Sequence, residues 1–379
     1  MKLSKTIFKI LFGISGTIFF LYVFMGCSAS KVDLSTIEFT PVVSEQWPVS
    51  TPQEQGLESE LVARMYYDAG KLETLYSLLV IKGGYLIAED YFNEGSIDQK
   101  DRLQSVTKSV TSALVGIAIA QDSIAGVNQH MIDFFPEIAD RISDTRKLQI
   151  TLADLLKMRS GYPREEDDQT WWDGLLSGYY PPLIEDFPLV SEPGTKFHYS
   201  NLSSNWLGII VDRSCGMNLK AYAEENLFSY LDIDPGEWGQ DAEGHNNGCG
   251  DLHLTPRDAA KFGLLYLNDG KFNGNQIIPA EWVEASHKTY SVNEAFVTRI
   301  GDFDDIGYGY HWWTANTRDY HVNFAWGHGG QLIVLVDDLD MIIVTTSYPF
   351  WLEHNSQSWK HEKEIITMVS EFINSIPVK

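Results

Sequence analysis

A hydroxyl and an amine stand three residues apart in Ser105-Val106-Thr107-Lys108, at the start of an apolar run. On a helix, residues i and i+3 are surface neighbours, so Ser105 Oγ and Lys108 Nζ can come within hydrogen-bond reach on one face. A serine alone is a poor nucleophile, and a nearby amine that is neutral for part of a reaction cycle can take its proton. Val110, Ala113, Leu114, Ile117 and Ala118 follow at helical spacing, which predicts a buried helix with Ser105 at its first turn. The unpaired N–H groups and partial positive charge of a helix N-terminus favour an alkoxide or oxyanion there. A plainer assignment fits the same residues, with Ser105 as an N-cap and Lys108 as a solvated side chain.

Two further segments carry groups that could complete such a site. After the Pro193-Gly194 turn come Tyr199-Ser200-Asn201, where a phenol could act as general base and an amide could orient a lysine or a carbonyl. Taken alone, Tyr199 also fits a core aromatic and Asn201 a helix cap. Trp326-Gly327-His328-Gly329-Gly330-Gln331 leads into an apolar run over 332–336. Glycines around a histidine at a strand suggest close approach of another backbone or a ligand, or a simple glycine bulge.

In this order, the three segments resemble the S-x-x-K, Y-x-N and K-T-G (or H-x-G) elements of class C β-lactamase-related serine hydrolases. That superfamily includes penicillin-binding proteins, D,D-carboxypeptidases, esterases, D-aminopeptidases and 6-aminohexanoate-dimer hydrolases. Residues 252–263 also resemble the family's helix start before its last strands, and the resemblance covers about 45–375. It implies an α+β, β-lactamase/transpeptidase-like fold: an α/β sandwich with an antiparallel sheet plus a helical subdomain, the site lying at their seam. It further implies Ser105 as nucleophile, Lys108 and Tyr199 as its proton relay, and Asn201 as a holder of Lys108 or of the substrate amide. The backbone N–H groups of Ser105 and Gln331, beside Gly329 and Gly330, would form the oxyanion hole. His328 departs from the family pattern, since β-lactamases usually carry lysine there. A histidine is mostly neutral at pH 7 and a weaker, pH-dependent anion partner, so efficient β-lactam hydrolysis is not expected.

The elements needed to position these groups can be placed in outline. Strands are expected over 77–81 and 85–92, joined at Lys82-Gly83-Gly84 as a hairpin. Helical patterns cover 58–70, 106–120, 152–158, 203–213, 219–229 and 256–268. Strand patterns return at 308–313, 324–326, 331–336 and 341–347, and an amphipathic helix closes the chain over 357–376. This gives a sheet from about 70–95 and 305–350 plus the C-terminal helix, with a helical subdomain over about 110–290. Trp171, Trp172, Tyr179 and Tyr180 fall in one expected loop, and Trp312, Trp313 and Trp326 near the third motif. They fit either an apolar pocket or ordinary core.

Composition bounds the rest. The chain has 379 residues, 44 % of them hydrophobic and 21 % charged, as in a soluble globular protein. A formal net charge of −24 argues against nucleic-acid binding, which needs clustered Lys and Arg. Lys2, Lys5 and Lys9 precede an apolar run over 10–25 that ends at Gly26-Cys27-Ser28. That is the pattern of a secretory signal over 1–26, and a cysteine after a small residue resembles a bacterial lipobox, although Phe24 stands where leucine is usual. An uncleaved membrane anchor is the competing reading, against which the short span counts. The expected protein is therefore exported, periplasmic or at the cell surface, and tied to the membrane only by a lipid on Cys27.

Residues 27–55 read as a tether or extended lead-in, and 56–379 as the catalytic domain. An exported compartment permits a Cys215–Cys249 disulfide. Acidic runs at 165–168 and 302–305 lack the ligand spacing of an EF-hand and read as solvated loop. His245, Cys249, Asp251 and His253 match no zinc pattern, so no metal or organic cofactor is expected. The sequence thus points to a serine hydrolase acting on a small-molecule or peptide-like ester or amide through an acyl-enzyme on Ser105. A cell-wall D,D-peptidase or β-lactamase is the alternative enzyme, and a catalytically silent peptidoglycan-binding or sensor protein the alternative from another class.

Overall fold

The two ends of the chain pair with each other to build one antiparallel sheet. The computed structural model describes residues 33–349 and 357–378. Strands β1 (Leu75–Lys82) and β2 (Tyr85–Tyr91) form a hairpin whose two turn residues, Gly83 and Gly84, have φ of 58° and 76°. A two-residue turn with both central φ positive matches the twist of the flanking strands, and glycine adopts it without strain. The other strands come from the last quarter of the chain: β3 (Ser291–Val292), β4 (Asp304–Tyr308), β5 (Trp313–Asn316), β6 (His321–Gly327), β7 (Gln331–Val336) and β8 (Met341–Ser347). Their order is β2-β1-β8-β7-β6-β5-β4-β3, with β1 and β8 aligned antiparallel so that Val80 faces Ile343.

Helices cover both faces of this sheet, which is why β7 reads as an unbroken apolar run instead of an alternating one. On one face lie α1 (Ser59–Ala69) and the C-terminal helix, whose Val62, Met65, Ile365 and Val369 pack with Leu332 and Val334. On the other face lies a helical layer built around α2 (Thr107–Ala120), α3 (Asn201–Cys215) and α4 (Pro256–Leu267). In chain order the C-terminal helix is α5 (Gln357–Ser375). Gly263 lets α4 lie close on the sheet, because a Cβ there would stand 2.8 Å from Ile333 Cγ2. Residues 107–118 of α2 are buried all round, as an apolar helix without a polar face must be. Lys108 is among them.

The lead-in is docked where it is described. Glu89 N–H donates to Phe39 O at 3.0 Å, Ser50 N–H to Leu86 O at 3.2 Å, and Trp47 Nε1–H to Gly84 O at 3.2 Å, along the outer edge of β2. Arg257 of α4 fastens this edge. Its guanidinium donates two bonds to Glu89, at 2.7 and 2.6 Å, and others to Ser44 Oγ and Val42 O at 2.6 and 2.7 Å. Residues 1–26 and Cys27 lie outside the described residues, and no described helix is long and apolar enough to cross a membrane.

Several local expectations are corrected. The strand expected over 308–313 is two strands and a turn: β4 stops at Tyr308 and β5 starts at Trp313, with His311 between them at φ 58°. A left-handed residue breaks the extended chain that its aromatic neighbours would otherwise favour. The loop expected around the Trp171 and Tyr180 groups contains two helices, Gln169–Leu176 and Tyr180–Asp186, and a third, Ala280–His287, was not foreseen. The helix expected over 219–229 opens into a π-turn at Glu224–Phe228. Cys215 and Cys249 are free thiols.

The Arg257–Glu89 pair is almost sealed from solvent, its side chains 2 % and 1 % exposed. Truncating one partner leaves the other charge buried and unpaired, which costs about 3–5 kcal/mol. Arg257→Ala should therefore lower the urea unfolding free energy by about that amount. The double variant Arg257→Met/Glu89→Leu should recover a large part of the loss, and equal loss in both would show that the charge pair is not what the site requires.

Candidate active site

Ser105 sits in a short 3-10 turn, Gln104–Val106, that feeds directly into α2. Gln104 has φ 50°, so a non-glycine residue in the left-handed region stands immediately before the serine. Such a conformation costs of order 1–3 kcal/mol and persists only where the surroundings impose it. Here the surroundings are the end of β6: a Cβ on Gly327 would lie 2.3 Å from Leu103 O, so only glycine lets the strand approach this turn. Neither the turn nor α2 has a side-chain N-cap, which removes the capping assignment for Ser105.

Lys108 is not a solvated side chain either, being 1 % exposed. Its Nζ donates to three acceptors, one a turn away and two from distant segments: Ser105 Oγ at 2.9 Å, Asn201 Oδ1 at 2.8 Å and Cys249 O at 3.0 Å. The Tyr199 ring centroid is 4.9 Å away. Burial works against the charge, but interactions with Tyr199, Cys249 and Glu166 outweigh it and hold the amine above its ordinary range. In the resting site Lys108 is an ammonium.

Tyr199 is 9 % exposed and stacks on Trp313 with 5.5 Å between ring centroids. Its successor Ser200 caps α3 by accepting from Ser203 N–H at 3.1 Å, so the cap lies one residue before Asn201. The Asn201 carboxamide is left to bridge two charges, accepting from Lys108 and donating to Glu166 Oε1 at 3.1 Å. Behind it is a residue the sequence reading missed. Glu165, assigned above to a solvated acidic run, is completely buried and accepts from Ser200 Oγ at 2.7 Å, Asn201 N–H at 2.8 Å and Leu202 N–H at 3.1 Å. A carboxylate suits the first turn of a helix, but this one arrives from 36 residues upstream, where no local spacing announces it. Burial pushes its carboxyl up to about 7 against the pull of those hydrogen bonds. Its neighbours Glu166, Asp167 and Asp168 are exposed, as expected.

The third segment is the turn between β6 and β7. Gly329 and Gly330 have φ of 86° and 94°, and a Cβ on either would lie 2.5 Å from Pro349 Cα or 2.7 Å from Ile365 Cδ1. His328 Nδ1 pairs with Glu362 Oε2 at 2.9 Å. The hydrogen bond and charge of Glu362 hold the imidazole above its ordinary value in spite of burial, so His328 is more cationic near pH 7 than its residue type implies. The Gln331 side chain is fully buried and tied to Ser347 by two donated bonds and one accepted bond, so it fastens β7 to β8. The aromatic groups divide. Trp313 and Trp326 join Tyr199, the half-exposed Phe296 and Trp359 in one cluster, whereas Trp312 turns to Phe262 and Tyr266 in the other core. Tyr180 is buried with its hydroxyl near Asn247. Among the described residues no His, Cys, Asp and Glu cluster is arranged to hold a metal; Asp251 is paired with Arg102 and His245 with Asp212.

Comparison with known proteins places this geometry. The Beta-lactamase family profile matches residues 77–347. The 6-aminohexanoate-dimer hydrolase of Paenarthrobacter ureafaciens is 25 % identical over 341 residues, covering 84 % of each chain. A protein assigned as a 6-aminohexanoate-dimer hydrolase from Bacillus anthracis superposes with a TM-score of 0.65 at 20 % identity, over 90 % of this chain and 89 % of its own. A penicillin-binding protein homologue from Pyrococcus abyssi gives 0.62 at 16 % identity, over 82 % and 77 %. These neighbours share the mixed helix and antiparallel-sheet fold expected from the sequence.

Glu165 sets a pH signature. Its folded-state carboxyl titrates near 7, above the unfolded value of 4.5, so its contribution to stability is complete below the unfolded value and is lost as pH rises through about 7. In Glu165→Gln that fall should vanish, leaving unfolding free energy flatter between about pH 5 and 8 than in the wild type. Unfolding curves at half-unit pH steps measure it; identical slopes would mean that Glu165 does not titrate in this range.

Proposed function

This chain belongs to the β-lactamase family, and on that premise we propose that it is an exported serine hydrolase that opens ester or amide bonds through a covalent acyl-enzyme on Ser105. The observation that carries the reading is the sharing of one buried ammonium among Ser105 Oγ, Asn201 Oδ1 and Cys249 O. Because Lys108 donates to Ser105 Oγ, the serine keeps its own proton free for another acceptor, and we assign that role to Tyr199, whose ring centroid lies 4.9 Å from Lys108 Nζ. Ser105 attacks the carbonyl carbon, its proton passes through Tyr199 to the leaving oxygen or nitrogen, and the bond to that group breaks. Lys108 offsets the negative charge that develops on the oxygens in transit. Water then attacks the acyl carbonyl carbon as its proton passes to Tyr199, and the acyl–Oγ bond breaks with Oγ taking that proton from Tyr199, which releases the acid and regenerates Ser105.

The backbone N–H groups of Ser105 and Gln331 are assigned to the oxyanion, since both lie where the strained turn meets β7. Asn201 holds Lys108 in register, and Gly329 and Gly330 allow the turn its shape. The Tyr199, Phe296, Trp313, Trp326 and Trp359 cluster offers an apolar wall beside the serine. The relative named for a 6-aminohexanoate dimer favours a linear amide or ester over a bicyclic lactam as substrate. A D,D-peptidase or β-lactamase activity is the second reading, and the cationic character of His328 is what favours it. The basic and apolar leader ending at Cys27 supports export and a lipid anchor; Cys27→Ala should move the protein from the membrane fraction to the soluble one.

Ser105→Ala should abolish labelling by a fluorophosphonate and reduce turnover of p-nitrophenyl butyrate or a linear aminohexanoate dimer at least about 1000-fold. Lys108→Ala should do the same while leaving substrate KM little changed. Wild-type-like turnover in Ser105→Ala would remove the serine from the mechanism. A chromogenic cephalosporin and a D-Ala-D-Ala peptide in the same panel separate the two readings.

A further inference from the structure

His311 occupies the turn between β4 and β5 at φ 58°, and it is 2 % exposed. A left-handed backbone at a residue other than glycine costs of order 1–3 kcal/mol, and glycine would adopt it without strain. The strain is offset by what the side chain does. Its Nδ1 is 3.1 Å from Lys108 O, and a carbonyl oxygen only accepts, so Nδ1 carries the proton. Burial and the charge of Lys108 push the imidazole down to about 3, which keeps the ring neutral and leaves Nε2 an acceptor. Ser204 Oγ, 3.3 Å from Nε2, donates that second bond. The His311 backbone is engaged by the same layer: its N–H donates to Leu156 O at 3.1 Å, and its carbonyl accepts from Ser109 Oγ at 2.6 Å.

Each end of this bridge lies next to a group of the reactive centre. Lys108 O belongs to the residue whose ammonium is shared among Ser105, Asn201 and Cys249. Ser204 stands one helical turn beyond Asn201 on α3, and a Cβ on Gly248 would lie 2.2 Å from Ser204 O. Gly248 precedes Cys249, and its carbonyl accepts from Thr111 Oγ1 of α2 at 2.8 Å. The segments that converge on the Lys108 ammonium are thus tied together a second time, and His311 is the member of that tie that comes from outside them.

We propose that His311 is a positioning residue of the proton relay, an imidazole that bridges α2 to α3 and so holds the Lys108 ammonium on Ser105 Oγ and Asn201 Oδ1. This rests on the serine hydrolase reading and adds to it a residue outside the three motifs, supplied by the sheet to the helical layer. His311 acts through the backbone of Lys108. With the bridge cut, the ammonium is no longer held at one separation from its acceptors, and the loss falls on the step in which charge moves, not on substrate binding.

The test measures turnover of p-nitrophenyl butyrate per folded molecule, with thermal unfolding of each variant alongside. His311→Phe fills the volume but makes neither bond, so kcat should fall at least about tenfold while KM stays within about twofold. His311→Asn has a carboxamide donor and acceptor and tolerates the left-handed backbone, so it should recover part of the loss. Ser204→Ala removes only the α3 end of the bridge and should lower kcat about threefold or more. Added to His311→Phe, it should cost nothing further, because the bridge is already cut. A merely structural role would lower the unfolding temperature and leave kcat per folded molecule unchanged, and that result overturns the proposal. So do additive losses in the double variant. Should His311→Phe fail to fold, wild-type kcat in Ser204→Ala overturns the proposal by itself. Absence of Ser105-dependent turnover in the wild type would instead overturn the hydrolase reading, and this inference with it.

Discussion

The structure turns on one ammonium ion that has been taken out of water. Lys108 sits in the first turn of a helix buried on every side, and an isolated charge in that position would cost several kcal/mol. It is kept there by three oxygens, and none of them lies in the same element as another: the serine turn, the start of α3 and the backbone at Cys249. The helical layer cannot close correctly without bringing these three together. Closure of this layer and assembly of the reactive centre thus draw on the same three contacts. The strained turn that carries the serine is imposed from another side, by the close approach of Gly327 at the end of β6 to Leu103 O.

Two carboxylates stand behind this cation, and they do different things. Glu165 closes the N-terminus of α3 from below and so fixes the backbone that carries Asn201. Glu362 closes the β6–β7 turn from the opposite side of the sheet and orders the backbone around Gly329. Both are sealed from solvent: Glu165 is held by two backbone N–H groups and the Ser200 hydroxyl, Glu362 by one backbone N–H and the Trp326 and His328 side chains. The reactive side chains are thus supported by fixed main chain on both flanks, with charge supplied from a second row. An overall charge of −24 says nothing of this pattern, in which a cation lies at the centre and acids around it.

The sequence discloses the parts whose chemistry depends on short spacing. Ser105 and Lys108 are one turn apart, Tyr199 and Asn201 are two residues apart, and strands such as 331–336 and 341–347 are long apolar runs, so all of these were legible in place. What was not legible is set by contacts between distant segments. Glu165 looks like its exposed neighbours Glu166 and Asp167, because nothing local says that one acid of the run will meet the end of a helix formed much later. Glu362 falls on an amphipathic helix among other charged residues, where a buried acid is hidden by the pattern that predicts the helix. Adjacent Trp312 and Trp313 go to opposite cores as neighbours at a strand do, but the left-handed His311 that sets where this strand begins is not announced by composition. The Glu362 partner of His328, which holds the imidazole above its ordinary value, likewise comes from another element.

The division of labour between the elements explains how one scaffold can hold its chemistry while its substrate changes. The nucleophile, its ammonium and its amide partner are all fixed within the helical layer, by α2, α3 and the backbone at Cys249. Other groups at this end of the sheet come from elsewhere: His328 from the turn after β6 with Glu362 of α5 behind it, and Phe296 and Arg164, which stack on each other at 4.5 Å. The two sets meet at the contact of Leu103 O with the space left by Gly327 and through Glu166, which accepts from Asn201 and pairs with Arg164. A substitution at position 328 or 362 therefore changes charge at the mouth without disturbing the hydrogen bonds of Lys108. A substitution at 165 or 201 disturbs the reactive centre whatever the substrate is. On a fold that hosts many hydrolases, function has to be read from the second set, and here that set presents an imidazole hydrogen-bonded to a buried acid.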